Sequence, residues 1–149
     1  LSYIFNCLRV DAKKIVMTNG CFDVLHVGHV EYLEQAKALG DYLVVLVNDD
    51  ESVSRLKGDS RPINSLANRL KMLMRLRSVD AVMAFSEDTP ENIYTALLPD
   101  VLVKGSDYSV DKIAGSEAIL QAGNSVELIE MVDGFSTTSL IEKIVRSKK

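Results

Sequence analysis

Five short, nearly continuous apolar runs alternate with amphipathic stretches along this chain, and that alternation constrains the fold more than any other feature. The runs are Lys14–Thr18, Tyr42–Asn48, Ala81–Phe85, Val101–Lys104 and Val126–Met131. A strand with one wet face alternates apolar and polar residues, whereas a strand covered on both faces has no such need. The segments between the runs carry helical spacing. Val30, Leu33 and Ala36 form the stripe of a helix from Val30 to Leu39, with Gly40 as the C′ residue that stops it. Ser65 N-caps a second helix, with Leu66, Leu70, Leu73 and Met74 on one face. Thr89-Pro90-Glu91 reads as N-cap, proline at N1 and acidic first turn of a third, and Gly115 to Ala122 is a fourth closed by Gly123. A last helix turns Leu140, Ile141, Ile144 and Val145 inward. Either Ser136 or Ser139 caps it, since Ser139 and Glu142 also fit a capping box. This order predicts a three-layer α/β fold with a five-stranded parallel sheet, in a single domain over residues 1–149.

Such a sheet binds ligands where strand order reverses, in a crevice at the carboxyl ends of the strands. The loops expected there are Asn19–Val27, Gly105–Val110 and Val132–Thr138, which hold the most unusual residues of the chain. His26-x-Gly28-His29 sits where the first strand hands over to a helix. If that helix starts near Val27, both imidazoles lie about one turn apart near its positive end, and Gly28 lets a backbone approach closely. Two N–H donors with free backbone amides suit a polyphosphate, and donors aimed at the oxygens around a reacting phosphorus lower the barrier by position and charge. Two other readings stand beside this one. Both histidines are solvated helix residues, or they join Cys21 in a zinc site, which lacks a closing ligand.

Three further segments carry similar choices. Ser136, Thr137 and Thr138 at the start of the last helix form an anion site or simple N-caps. Gly105 follows an apolar strand, so its backbone reads a base edge while Lys104 or Asp107 reaches ribose or phosphate, or else the segment is a plain turn. Arg55 to Pro62 reads as a cationic loop, either a solvated surface or an arm carrying Lys57 or Arg61 onto an anionic substrate; Arg69 points to solvent or back toward the site. Net charge is −4, which argues against the extended cationic surface of sequence-independent nucleic-acid binding. No run of about 18 apolar residues crosses a membrane. Two cysteines, Cys7 and Cys21, make no disulfide framework, and a reduced cytoplasmic setting is expected.

Together these pieces resemble the cytidylyltransferase-like nucleotidyltransferase superfamily, through His26-x-Gly28-His29 and the late Ser136-Thr137-Thr138. Within it, the chain is similar to the heptose 1-phosphate adenylyltransferases. That narrower likeness rests on TNGCFDVLHVGH, RLKGDSRPIN, SEDTP, LLPDVLVKGSDY, IAGSEAI and DGFSTTSLI, which keep their order over about four fifths of the chain. The resemblance implies a Rossmann-like nucleotidyltransferase fold, with ATP and a sugar 1-phosphate giving ADP-sugar and pyrophosphate. It implies Mg²⁺ held mainly by the ATP phosphates, a homodimer, and a separate or fused sugar kinase, so that the chain is a naturally split enzyme or one half of a larger one. His26 and His29 would hold the triphosphate, and Thr137 and Thr138, beside Ser136, its distal phosphates. Thr18, Gly20, Cys21, Phe22, Gly28, Lys104, Gly105 and Asp107 would line the nucleotide pocket. Lys57 would bridge the α-phosphate and the acceptor phosphate, with Asn19, Asp23 and Arg61 on the acceptor side.

Departures from the glycerol-3-phosphate cytidylyltransferases bear on the nucleotide. Met131-Val132-Asp133 stands where those enzymes carry an arginine, and Gly20-Cys21-Phe22 where they have Gly-Thr-Phe. A cytidylyltransferase using CTP and a small alcohol phosphate is the alternative enzyme, and a nucleotide-binding module without catalysis is the alternative of another class.

Overall fold

The computed structural model describes residues 2–130, 134 and 136–147. Five parallel strands, β1 (Ile15–Gly20), β2 (Tyr42–Asn48), β3 (Ala81–Phe85), β4 (Val101–Gly105) and β5 (Ser125–Ile129), form one sheet in the order β3-β2-β1-β4-β5. The chain builds outward from β1 in one direction through β2 and β3, then returns to its other side for β4 and β5. The reversal therefore falls between β1 and β4. β1 and β2 pair along six residues, Ile15↔Tyr42 to Gly20↔Val47, but β1 and β4 pair only at Val16↔Val101 and Met17↔Leu102. Beyond Met17 the Tyr32 hydroxyl bridges the two strands. It donates to Val103 O at 3.2 Å, and the Thr18 hydroxyl donates to it at 2.7 Å.

The strand residues alternate between two cores, which is why the runs are apolar throughout. Val16, Leu43, Val45, Val47, Val101 and Val103 face one side, against Leu33 and Ala36 of α2 (Val27–Lys37) and Leu73 of α4 (Leu66–Leu73). Ile15, Met17, Val44, Leu46 and Leu102 face the other. There they meet Phe5 of α1 (Ser2–Val10), Tyr94 and Leu97 of α5 (Glu91–Leu97) and Ile119 of α6 (Ser116–Gln121). The three layers and the five-stranded parallel sheet are those expected.

Several local expectations need correcting. The α1 helix stands where no element is expected from the sequence; its apolar face is short, Phe5 buried with Leu8 packed beside it. Arg55 does not begin a loop; it lies in the last turn of α3 (Asp50–Lys57), which Asp49 N-caps by accepting from Ser52 N at 2.8 Å. The acidic start and basic end of that helix complement its dipole, and the loop proper begins at Gly58, with φ 96°. Gly40 is not a left-handed stop, and Ala38 is the C-cap of α2. A Cβ on Gly40 would meet Lys14 O and Val16 Cγ2 at 2.7 Å each, so the glycine serves close packing of helix end on strand.

At α5 the N-cap is Pro90 in place of Thr89, and Met74 follows the end of α4 with 46% of its surface exposed. In α7 (Thr137–Arg146) the cap is Ser136, whose Oγ accepts from Ser139 N at 3.1 Å. None of its residues is fully buried; of the stripe expected to face inward, Leu140 and Ile141 are half-buried while Ile144 and Val145 are exposed. Met131, at the expected end of β5, and Val132, Asp133 and Phe135 of the last loop lie outside the described residues.

Candidate active site

The carboxyl ends of β1 and β4 open into a cavity of about 650 Å³, within the range of small-molecule sites. Of the residues singled out from sequence, the structure brings fifteen to its wall: Asn19, Gly20, Cys21, Phe22, Asp23, His26, His29, Lys57, Arg61, Lys104, Gly105, Asp107, Ser136, Thr137 and Thr138. Two are elsewhere. Thr18 is fully buried behind the wall on Tyr32, and Gly28 is buried in α2. Among the described residues the wall carries four cations, Lys57, Arg61, Lys104 and Lys112, against the carboxylates of Asp23, Asp88 and Asp107. The cavity is thus locally cationic in a chain of net charge −4.

The two histidines are placed by the turn into α2. His26 is its N-cap residue in extended conformation, and His29 donates its backbone N–H to His26 O at 3.0 Å. The rings stack with centroids 3.9 Å apart, and Phe22 packs against His29 at 5.5 Å. His29 Nδ1 accepts from the His26 backbone N–H at 3.4 Å, which leaves the ring proton on Nε2. Burial, and then the neighbouring imidazole, push His29 down to about 4, and burial lowers His26 as well. At neutral pH both rings are neutral N–H donors. No three His, Cys, Asp or Glu side chains converge to hold a metal among the described residues, so Cys21, His26 and His29 form no zinc site.

The loop before them is held by its own anchors. Phe22 and Val24 take positive φ, 49° and 56°, a conformation that costs a β-branched residue most. Asp23 supplies one compensation. Its buried carboxylate accepts from Ile63 N and Asn64 N at 2.8 Å each and from Arg61 Nε at 2.6 Å. Burial would raise the Asp23 pKa, but these donors outweigh it and lower it. The Asp23 carboxylate, expected on the acceptor, is therefore turned to the 61–64 segment, and it also takes up much of the Arg61 charge. Thr137 Oγ1 donates to Asp23 O at 2.9 Å, tying the start of α7 to the same loop.

Arg69 is the residue whose direction the sequence left open. It is fully buried, and its guanidinium donates to Cys21 O at 2.7 Å, Asn48 O at 2.8 Å, Asn64 O at 3.1 Å and Asp50 Oδ1 at 2.8 Å. One side chain thus joins the ends of β1 and β2 to the 61–64 segment and α3. A planar five-donor fork can do this where an ammonium cannot.

At the β1/β4 gap, Asn19 Oδ1 accepts from Tyr94 Oη at 3.0 Å and from Lys104 Nζ at 2.9 Å. With its oxygen so engaged, Asn19 keeps its amide N–H groups as donors. Burial lowers the Lys104 pKa, and its Nζ lies 4.6 Å from the centre of the Tyr108 ring. Cys21 is raised by burial despite the pull of Lys57, Arg69 and Arg61, so it is a thiol. Tyr94, Tyr108, Asp88 and Thr89 also line the cavity, and the sequence gives none of them a site role. Tyr94 reads as a core residue of α5, and only the sheet order brings its hydroxyl to β1.

Residues 17–143 match the cytidylyltransferase-like family. The chain is 55% identical over 145 residues to the bifunctional protein HldE of Shewanella loihica, covering 97% of this chain and 30% of that protein. It is 52% identical over 148 residues to HldE of Shewanella sediminis, covering 99% and 31%. It thus spans under a third of the length of these curated relatives. Among solved structures, a lipopolysaccharide core biosynthesis protein from Thermoplasma volcanium superposes with TM-score 0.63 at 32% identity, over 80% of this chain and 97% of that one. A protein of unknown function from Archaeoglobus fulgidus shares the fold at TM-score 0.61 and 16% identity, over 83% and 93% of the two chains.

Proposed function

The chain belongs to the cytidylyltransferase-like family, and from that premise we propose that it transfers AMP from ATP to a heptose 1-phosphate or close relative. The products are ADP-sugar and pyrophosphate. The observation that carries this reading is the stacked His26–His29 pair, neutral and facing a cationic cavity at the strand-order reversal. Similarity to HldE over nearly the whole chain supports the adenylyl and heptose assignments, and the lipopolysaccharide-biosynthesis neighbour supports a role in surface glycan precursors made in the cytoplasm.

The chemistry asks little proton handling of the protein. A sugar phosphate has a second pKa of about 6, so its oxygen is already ionised at neutral pH. That oxygen attacks the α-phosphorus, a new P–O bond forms, and the bond to the bridging oxygen breaks as pyrophosphate leaves with the electron pair. No general base is needed. Catalysis reduces to alignment and charge stabilisation, as in phosphoryl transfer generally. His29 Nε2–H and the His26 ring donate to the triphosphate, and the α7 start at Ser136, Thr137 and Thr138 holds its distal phosphates. Lys57, at the end of α3, spans the α-phosphate and the acceptor phosphate, with Arg61 and the Asn19 amide beside it. Gly20, Cys21, Phe22, Lys104, Gly105 and Asp107 line the nucleoside end. Mg²⁺ supplies charge neutralisation across the phosphates when bound.

The second activity of the bifunctional relatives would lie in the two thirds of their length that this chain does not match, and a sugar kinase making the acceptor fits that place. We read residues 1–149 as one nucleotidyltransferase domain that works as a homodimer. The test is pyrophosphate release with ATP or CTP against a panel of phosphorylated acceptors. ATP with heptose 1-phosphate should be preferred. The His26→Ala variant should lose about a hundred- to a thousandfold in kcat, as when an oxyanion donor is removed. Turnover within tenfold of wild type would sink the role of His26. Preference for CTP with glycerol 3-phosphate would favour the cytidylyl alternative, and nucleotide binding without pyrophosphate release a non-catalytic module.

A further inference from the structure

Asp88 and Thr89 line the cavity but have no part in the transfer chemistry above. They stand on the loop between β3 and α5. The sheet order puts that loop on the β2/β3 flank with Lys57, away from the β4 flank that carries Lys104 and Tyr108. The loop is fastened to α3. Arg55 Nε donates to Asp88 Oδ1 at 2.9 Å, Arg55 Nη2 donates to Ser86 O, and Ser52 Oγ donates to Glu87 O at 3.0 Å. Ser52 itself accepts from Asn48 Nδ2 at 2.9 Å. One short helix therefore carries Lys57 at its end and, through Ser52 and Arg55, fixes the loop that bears Asp88 on the same cavity wall. Among the described residues the Thr89 hydroxyl has no hydrogen-bond partner in the protein, and the second Asp88 oxygen has none either.

A carboxylate at this place is wrong for a phosphate, which it would repel. It is also poorly suited to an ammonium group, because Arg55 already balances its charge. Neutral hydroxyl groups remain. An O–H donor to a carboxylate makes a short, charge-assisted bond, and a threonine hydroxyl both donates and accepts. We propose that Asp88 and Thr89 form the hydroxyl-reading wall of the acceptor site, selecting phosphorylated sugars by hydroxyls remote from the phosphate held at Lys57. The inference rests on the proposal that the acceptor is a sugar phosphate, and it names the residues that would discriminate it.

The experiment is steady-state kinetics of wild type, Asp88→Ala and Thr89→Val, with acceptor varied at saturating ATP and ATP varied at saturating acceptor, using heptose 1-phosphate, glycerol 3-phosphate and ethanolamine phosphate as acceptors. For Asp88→Ala, KM for heptose 1-phosphate should rise about ten- to a hundredfold, the worth of a lost hydrogen bond to a charged group. KM for ATP should stay within about twofold, and discrimination against glycerol 3-phosphate should shrink. Thr89→Val should move the same way by a smaller factor. Both residues are exposed, so the thermal midpoint should not move; if Asp88→Ala does not fold, Thr89→Val decides alone. An unchanged acceptor KM, or an ATP KM that rises in step, would overturn the inference while leaving the sugar-phosphate reading intact. Preference of the wild type for ethanolamine phosphate, or no turnover of any sugar phosphate, would overturn both.

Discussion

Replacing Arg69 by methionine tests the idea that one buried guanidinium holds the floor of the site together. Methionine keeps much of the aliphatic volume but none of the donors. Three backbone carbonyls, at Cys21, Asn48 and Asn64, then lose their partner, and Asp50 loses its ion pair. A buried acceptor left unsatisfied costs about 1–3 kcal/mol. Three give a gross penalty of roughly 3–9 kcal/mol. Against this stands the relief of no longer burying a charge, which amounts to several kcal/mol. Asp50 is half-exposed and adds little. A net destabilisation of about 3 kcal/mol follows, near the low end of what removing one partner of a buried pair costs. For a chain of this size that lowers the melting midpoint by roughly 6–12 °C. Urea unfolding of wild type, Arg69→Met and Arg69→Lys measures it, with the m-value as a check that the unfolded state has not changed. Lysine should fall between the other two, since it keeps the charge but loses the fork. A loss below about 1 kcal/mol in Arg69→Met, beneath the cost of a single unsatisfied carbonyl, would refute the reasoning.

Other consequences follow from pKa, packing and metal. His29 sits at about 4 in the folded chain and at 6.5 unfolded, so between those values the unfolded state binds more protons and stability must fall as pH drops. Asp23, lowered in the folded state, adds a further loss below its ordinary value of 3.8. Unfolding free energies at pH 7.0, 5.5 and 4.5 should decline for wild type and decline less for His29→Gln; equal slopes would remove His29 as the cause. Gly40→Ala should destabilise by about 1–3 kcal/mol through overpacking against Lys14 O and Val16, readable in a thermal melt. A chelator should stop turnover yet leave the melting midpoint of the nucleotide-free protein unchanged, since no protein cluster holds the ion among the described residues. A midpoint drop on chelation would point to a resident metal.

What could be read from sequence depended on how local the cause was. Runs such as Tyr42–Asn48 announce buried strands, because burial on both faces removes alternation. Ser136, one of two caps the sequence offers for the last helix, makes its bond within one turn, whereas Ser65 stands at the start of α4 without a side-chain cap bond. The α3 helix was hidden behind its own charges, although Asp49 three residues before Ser52 is a cap signal. The stripe of α7, half-buried at Leu140 and Ile141 and exposed at Ile144 and Val145, differs for another reason: apolar spacing tells which face is apolar and not how far the same chain covers it.

Nearly all the residues expected at the cavity reach it, because most lie at or just after the ends of β1, β4 and β5, with Lys57 and Arg61 on the segment after β2, and the strand ends share one edge of any parallel sheet. Direction within that edge was not legible. Asp23 and Arg61 both read as substrate contacts, yet they face each other at 2.6 Å through a pairing 38 residues apart in sequence. By itself the sequence determined the layers and the strands, since these follow from periodicity, and it carried the motifs through which the chain resembles its family. Only the tertiary structure decided that Arg69 turns inward, that Tyr94 reaches Asn19, and that Asp88 is held by Arg55 on the cavity wall. Those are long-range contacts set by the strand order β3-β2-β1-β4-β5, and no local pattern encodes which distant loops that order brings together.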